Sequence, residues 1–295
     1  MKPSKYEKTL ATIKTTLDMP ADQAIDTLID CIKKGHPLAA AKAVHTLANI
    51  NKPPHSSLIT LYDWLEKEPR KRDNSCDART AIVEVLGNIG LPVAFGTFRK
   101  AARTIQFVKV GLGMEDMGVQ LRASAALAMA KSDPDSLYEL SLLLFDGDSD
   151  ESAVVRKAAA QAISVLGDPG GLPLLAVKLK YPRGEEQEVL AECLESLIFM
   201  RPPYLMEVVM PYLKSDDSYL SAISALSLAE NLGEEVLDLL LEALDYVPGE
   251  AKEAIVIAIS STRCNKARQI LLDLLDHPNS FVRKGAVKGM ESYPI

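Results

Sequence analysis

Residues 155–175 read VRKAAAQAISVLGDPGGLPLL. With Arg156 as position zero, Ala158, Ala159, Ala162, Ile163 and Leu166 stand at +2, +3, +6, +7 and +10. That spacing puts them on one face of a helix. Gly167 at +11 predicts a helix stop, and Pro169 at +13 prevents continuation. A second apolar stretch, GLPLLAVKLK, follows at once. The unit is therefore helix, tight turn, helix.

The frame recurs along the chain. Arg79 is followed in register by Ala81, Ile82, Val85, Leu86 and Ile89, then Gly90 and Pro92. Arg122 precedes Ser124, Ala125, Ala128 and Met129, with a shortened turn at Asp133 and Pro134. Leu190 takes the arginine's place in VLAECLESLIFMRPP, and Ala222 in a copy that ends at Gly233. Lys252, Arg283 and a degenerate copy at Ala40 complete the set. The anchors at 40, 79, 122, 156, 190, 222, 252 and 283 are 39, 43, 34, 34, 32, 30 and 31 residues apart. Two helices with their turns need ~30–35 residues, so the later spacings have no room for anything else. The two longer gaps predict insertions near 66–79 and 103–118. These periods predict an all-α, right-handed α-α superhelix of about eight two-helix repeats, one solenoid over residues 1–295.

Composition agrees. Of 295 residues, 47% are apolar but only 5% are aromatic, a mix suited to short, closely packed helices and poor for a β-sandwich. No apolar run approaches the ~20 residues that span a bilayer. The charged N-terminus, MKPSKYEKTLATIKTTL, has no signal-peptide core, so a cytoplasmic protein without a membrane partner is expected. Cys31, Cys76, Cys193 and Cys264 are too dispersed for a zinc or dithiol motif. Net charge is −7 but uneven. Residues 1–130 hold 18 basic and 13 acidic side chains, a balance of +5, and residues 131–295 hold 15 and 27, a balance of −12. An acidic C-terminal half argues against a nucleic-acid partner.

The 155–175 segment resembles the short HEAT-like repeats of the phycobilisome-lyase type, whose pattern is V-R-x-x-A-A-x-A-L-x-x-I-G-D-P. The resemblance covers residues 36–292, closest at anchors 79, 156 and 283 and looser at 40, 222 and 252. It implies an armadillo-type superhelix, and it leaves function open, since such repeats serve scaffolds, lyases, hydroxylases and glycosylases alike. It also implies that acids six residues before an anchor, here Asp73, Asp116, Asp150 and Asp216, bridge to the anchor arginines and cap helices.

No catalytic constellation stands out. His36 and His277 precede prolines at turns, where capping roles are expected, and His45 stands alone at +5 of the first copy. There is no His-Glu dipeptide, the pair that carries iron in HEAT-like hydroxylases, no phosphate loop and no nucleophile elbow. Gly111, Gly113 and Gly118 mark a flexible insertion, and Trp64 falls in an apolar stripe that predicts a core position. Glu185-Glu186, Asp216-Asp217 and Glu234-Glu235 stand at predicted helix starts, and GDSDES at 147–152 lacks the spacing of a calcium loop. No catalytic residue, metal or cofactor is expected. Arg70, Lys71, Arg72, Arg99, Lys100 and Arg103 form a candidate basic patch, diluted by Glu66, Glu68 and Asp73.

In HEAT arrays the second helix of each repeat lines the concave side. With the core at +2, +3, +6, +7 and +10, the exposed stripe falls near +1, +5 and +8. The candidate partner-binding residues are His45, Thr80, Glu84, Leu127, Lys157, Gln161, Glu195, Ile223 and Ile257, with Ile198 at +8. A stripe this apolar is more than solvent needs. The expected function is a non-enzymatic scaffold or adaptor that binds a protein or peptide there. A bilin-lyase-like enzyme or chromophore-binding protein is one alternative, because that family shares the repeat. A nucleic-acid-binding protein using the basic N-terminal half is the other.

Overall fold

A computed structural model describes residues 3–50, 55–145 and 153–293. Apart from one β-hairpin, the regular structure of these residues is helical. The chain divides into two compact units, Met1–Leu166 and Gly167–Ile295.

The first unit opens with α1 (Lys5–Thr15) and α2 (Ala21–Lys34), which lie before the repeat frame and pack on α3 (Pro37–Ala48). Ser4 and Glu7 form a reciprocal capping box that starts α1. Then come α4 (His55–Lys67), the single turn α5 (Pro69–Arg72), α6 (Asp77–Ile89) and α7 (Phe95–Ala102). Strands β1 (Phe107–Val110) and β2 (Gly113–Asp116) pair antiparallel, Phe107 opposite Asp116 and Val110 opposite Gly113. The unit closes with α8 (Val119–Ser132), α9 (Leu137–Leu144) and α10 (Ala153–Leu166).

Anchors 40, 79, 122 and 156 fall on α3, α6, α8 and α10, which pack in that order: α3 on α6, α6 on α8, α8 on α10. α8 is also covered by α7 and α9. Enclosed on most sides, it is built from small residues (LRASAALAMA) instead of a one-sided apolar stripe.

The second unit repeats the scheme. α11 (Gly171–Lys180) packs on α12 (Gln187–Met200), α13 (Leu205–Leu213) on α14 (Ser218–Leu232), α15 (Leu237–Ala243) on α16 (Gly249–Ser261), and α17 (Asn265–Leu274) on α18 (Ser280–Met290). The anchor helices α12, α14, α16 and α18 stack in sequence order. Ion pairs join the alternate helices: Lys180 to Glu207 at 3.8 Å, Lys214 to Glu242 at 2.7 Å and Lys266 to Asp238 at 3.1 Å. No described helix is long and apolar enough to cross a membrane.

The expected stops hold. Gly90, Gly167 and Gly233 have φ of +68°, +69° and +63°, the backbone that ends a helix and that glycine adopts without strain. Three expectations change. The 103–118 insertion contains an ordered hairpin, in which FVKV and GMED flank a two-residue Gly-Leu turn. Ile198 is fully buried in α12, so it belongs to the core and not to an exposed stripe. Trp64 is only half-buried, and the Arg72 guanidinium covers its ring at 4.1 Å from the centroid.

Candidate functional site: a polar groove across α3, α6 and α8

Ala41 and His45 on α3 face Thr80, Ala81 and Glu84 on α6 across a groove with a volume of about 240 Å³. Ser75, from the loop before α6, Asp77, the first residue of α6, and Gln120, from the start of α8, complete its wall. Stacking of anchor helices brings +1 and +5 of one copy beside +1 and +5 of the next, which is why His45, Thr80 and Glu84 meet. Leu127 is half-buried further along α8, and Lys157 and Gln161 are exposed on α10. Glu195 is exposed and Ile223 and Ile257 are half-buried in the second unit.

The groove is rich in acceptors. Asp77 accepts from the Ser75 hydroxyl at 2.6 Å, and Glu84 accepts from Ser124 at 3.1 Å. Thr80, expected on the exposed stripe, is instead buried at 8% exposure, because the stacked anchor helices close over it at the floor of the groove. His45 is exposed on the opposite wall.

A buried polar network fixes the loop that forms one wall. The Asp73 carboxylate accepts from the amides of Ala78 and Arg79, at 3.0 and 3.1 Å, and from Arg79 Nε at 3.0 Å. Arg79 Nη2 donates to Gln106 Oε1 at 2.6 Å and to Cys76 Sγ at 3.2 Å. Gln106 Nε2 donates in turn to the carbonyls of Asp73 and Asn74. Asp116 repeats the arrangement: it pairs with Arg122 at 2.6 Å and accepts from the amides of Gln106 and Gly118. Gly118 is required here, since a Cβ would stand 2.5 Å from the Thr104 carbonyl oxygen. Both acids thus bridge to their anchor arginines. Asp216 does not take the expected capping role: α14 is capped by its neighbour Asp217, which accepts from Tyr219 and Leu220. Asp150 and the GDSDES stretch lie outside the described residues.

Burial pushes the Cys76 thiol up to about 12, with Arg79 pulling it back and Asp73 reinforcing the rise. It is a protonated, bonded group and not a thiolate nucleophile. All four cysteines are free. Among the described residues no cluster of His, Cys, Asp and Glu has the arrangement to hold a metal ion. His36 caps α3 by accepting from the Leu38 amide, and His277 accepts from the Asn279 amide, as their positions before proline predict.

Five of the six residues of the candidate basic patch are ion-paired. Arg99 and Arg103 both bind Glu139, at 2.6 and 3.0 Å. Lys100 binds Asp63 at 2.7 Å, and Glu68 meets both Lys71 and Arg72. Arg70 alone of the six has no ion pair among the described residues.

The repeat frame pointed to Ala41, His45, Thr80 and Glu84, but not to Ser75, Asp77, Gln120 or Gln106. Those four lie in or beside the insertions, where the period is broken. Only Asp77, at a helix start, carried a local signal. No family model matches the chain, and no curated protein matches it in sequence.

Proposed function

We propose that this chain is a HEAT-like helical solenoid acting as a non-enzymatic scaffold, which binds a protein or peptide partner along its anchor-helix face. One observation carries the reading: Ala41, His45, Thr80 and Glu84, stripe positions from two different copies, line a single groove. The Asp77 and Glu84 carboxylates lining the groove suit a side chain that brings hydrogen-bond donors. The groove is small enough for one or two side chains, so affinity would come from repetition along the helix face, as in other repeat proteins.

The test is retention of proteins from a native lysate by the immobilised full chain, compared with Glu84→Lys. A scaffold loses one specific protein at least tenfold in Glu84→Lys while circular dichroism stays unchanged. Equal retention of every protein by both forms removes the groove from the reading. Retention of a chromophore or nucleic acid in place of a protein removes the scaffold itself.

A further inference from the structure

Among the described residues no helix packs on the hairpin of β1 and β2: its strands contact each other, and no helix makes more than marginal contact with either. Within ten residues it exposes Ile105, Phe107, Val110, Leu112 and Met114, with Leu112 fully exposed at the tip. A lone two-stranded hairpin is only marginally stable in water. This one is rooted in the buried network, through the Gln106 side chain on Arg79 and Asp73 and through Asp116 on Arg122. An apolar hairpin tied at its base and covered by no helix among the described residues is an unfinished sheet.

We propose that β1 is a docking edge that takes an extended strand from a protein partner. Met117 N donates to Gln106 O at 3.0 Å, which fixes the hydrogen-bond alternation of the ladder. The pairs 108–115 and 110–113 therefore face inward, and the N–H and C=O groups of Phe107 and Lys109 point outward from β1. β1 carries an aromatic and two valines, whereas β2 is interrupted by Gly113 and by the inward-tied Asp116. The partner's chemistry follows from the side chains. Phe107 and Lys109 share one face of the strand and Val108 and Val110 the other. Lys109 is exposed and makes no ion pair among the described residues. The incoming strand needs a carboxylate opposite Lys109, an apolar residue two places away opposite Phe107, and an apolar residue between them facing Val108. A second copy of β1 fits poorly, because it sets two lysines into one four-residue ladder.

The experiment selects binders to the full chain from a displayed library of random dodecapeptides. Selected peptides should share an acid two residues from an apolar side chain, and they should slow amide exchange at Phe107 and Lys109. Lys109→Pro removes one outward donor without touching an inward bond, and should weaken these peptides at least tenfold. Lys109→Glu should turn the selected acid into a base. Glu84→Lys, in the groove, should leave them unchanged, which separates this edge from the groove. Selection of no peptide overturns the proposal, as does selection that ignores Lys109→Pro. Protection at Phe107 that rises with protein concentration alone also overturns it, in favour of self-association.

Discussion

At single residues, the strongest commitments are the two acid–arginine pairs of the first unit. Asp73 and Arg79 are 3% and 1% exposed, so neither ion can be rehydrated if its partner is removed. Asp73→Ala leaves a buried guanidinium uncompensated and should cost about 3–5 kcal/mol of stability, read by urea unfolding. A cost under about 1 kcal/mol would mean that water reaches Arg79 after all. Asp116 makes the same point through pH. Burial raises its pKa, but the Gln106 and Gly118 amides and Arg122 outweigh that and hold it below the ordinary 3.8. A lowered native pKa gives stability that is complete above the unfolded value and is lost as pH falls through the native one. The stability gap between the parent and Asp116→Asn should therefore be constant near neutrality and shrink below about pH 3.8. A gap independent of pH would show that the carboxylate's charge contributes nothing. These pairs were legible because Asp and Arg recur six residues apart. Gln106, which joins them, was not, because one uncharged residue in an insertion has no period to betray it.

For the elements, close approach of anchor helices sets the terms. A Cβ at Gly87 of α6 would lie 2.5 Å from the Ala128 Cβ of α8. In an isolated helix Gly→Ala gains about 1 kcal/mol. Here the clash should win, and Gly87→Ala should destabilise by about 1–3 kcal/mol in thermal or urea unfolding. A stabilised variant would show that α6 and α8 can move apart freely. The helices and their stops were readable for the same reason that this contact exists. The copies at 122, 156 and 283 carry small residues at +2, +3 and +6, where anchor helices lie close together, and Gly90, Gly167 and Gly233 end the copies in which they occur. α1 and α2 were not placed by the repeat frame, since they match no copy of it. The hairpin's sequence reads as a flexible insertion because glycines at 111, 113 and 118 break up two strands of only four residues, too short to register a period.

Across the whole molecule, the question is whether stability is shared or only passed between neighbours. In the second unit, α16 packs on α14, α15, α17 and α18, and the anchor helices touch in sequence order. If the chain is a solenoid, its free energy is close to a sum over such neighbour contacts. Removing residues 248–295 deletes α16, α17 and α18 and uncovers one face of α14. The remainder loses its last interface but keeps every earlier one. The shortened chain should keep its helical signal per residue and unfold cooperatively, with a urea m-value reduced in proportion to the surface deleted. It should also associate more readily through the uncovered α14 face, because a terminal copy normally shields that surface. Measurements at low protein concentration separate the two effects. A chain that loses most of its helicity on this truncation would instead have one indivisible core, and the repeat reading of its periodic sequence would fail with it.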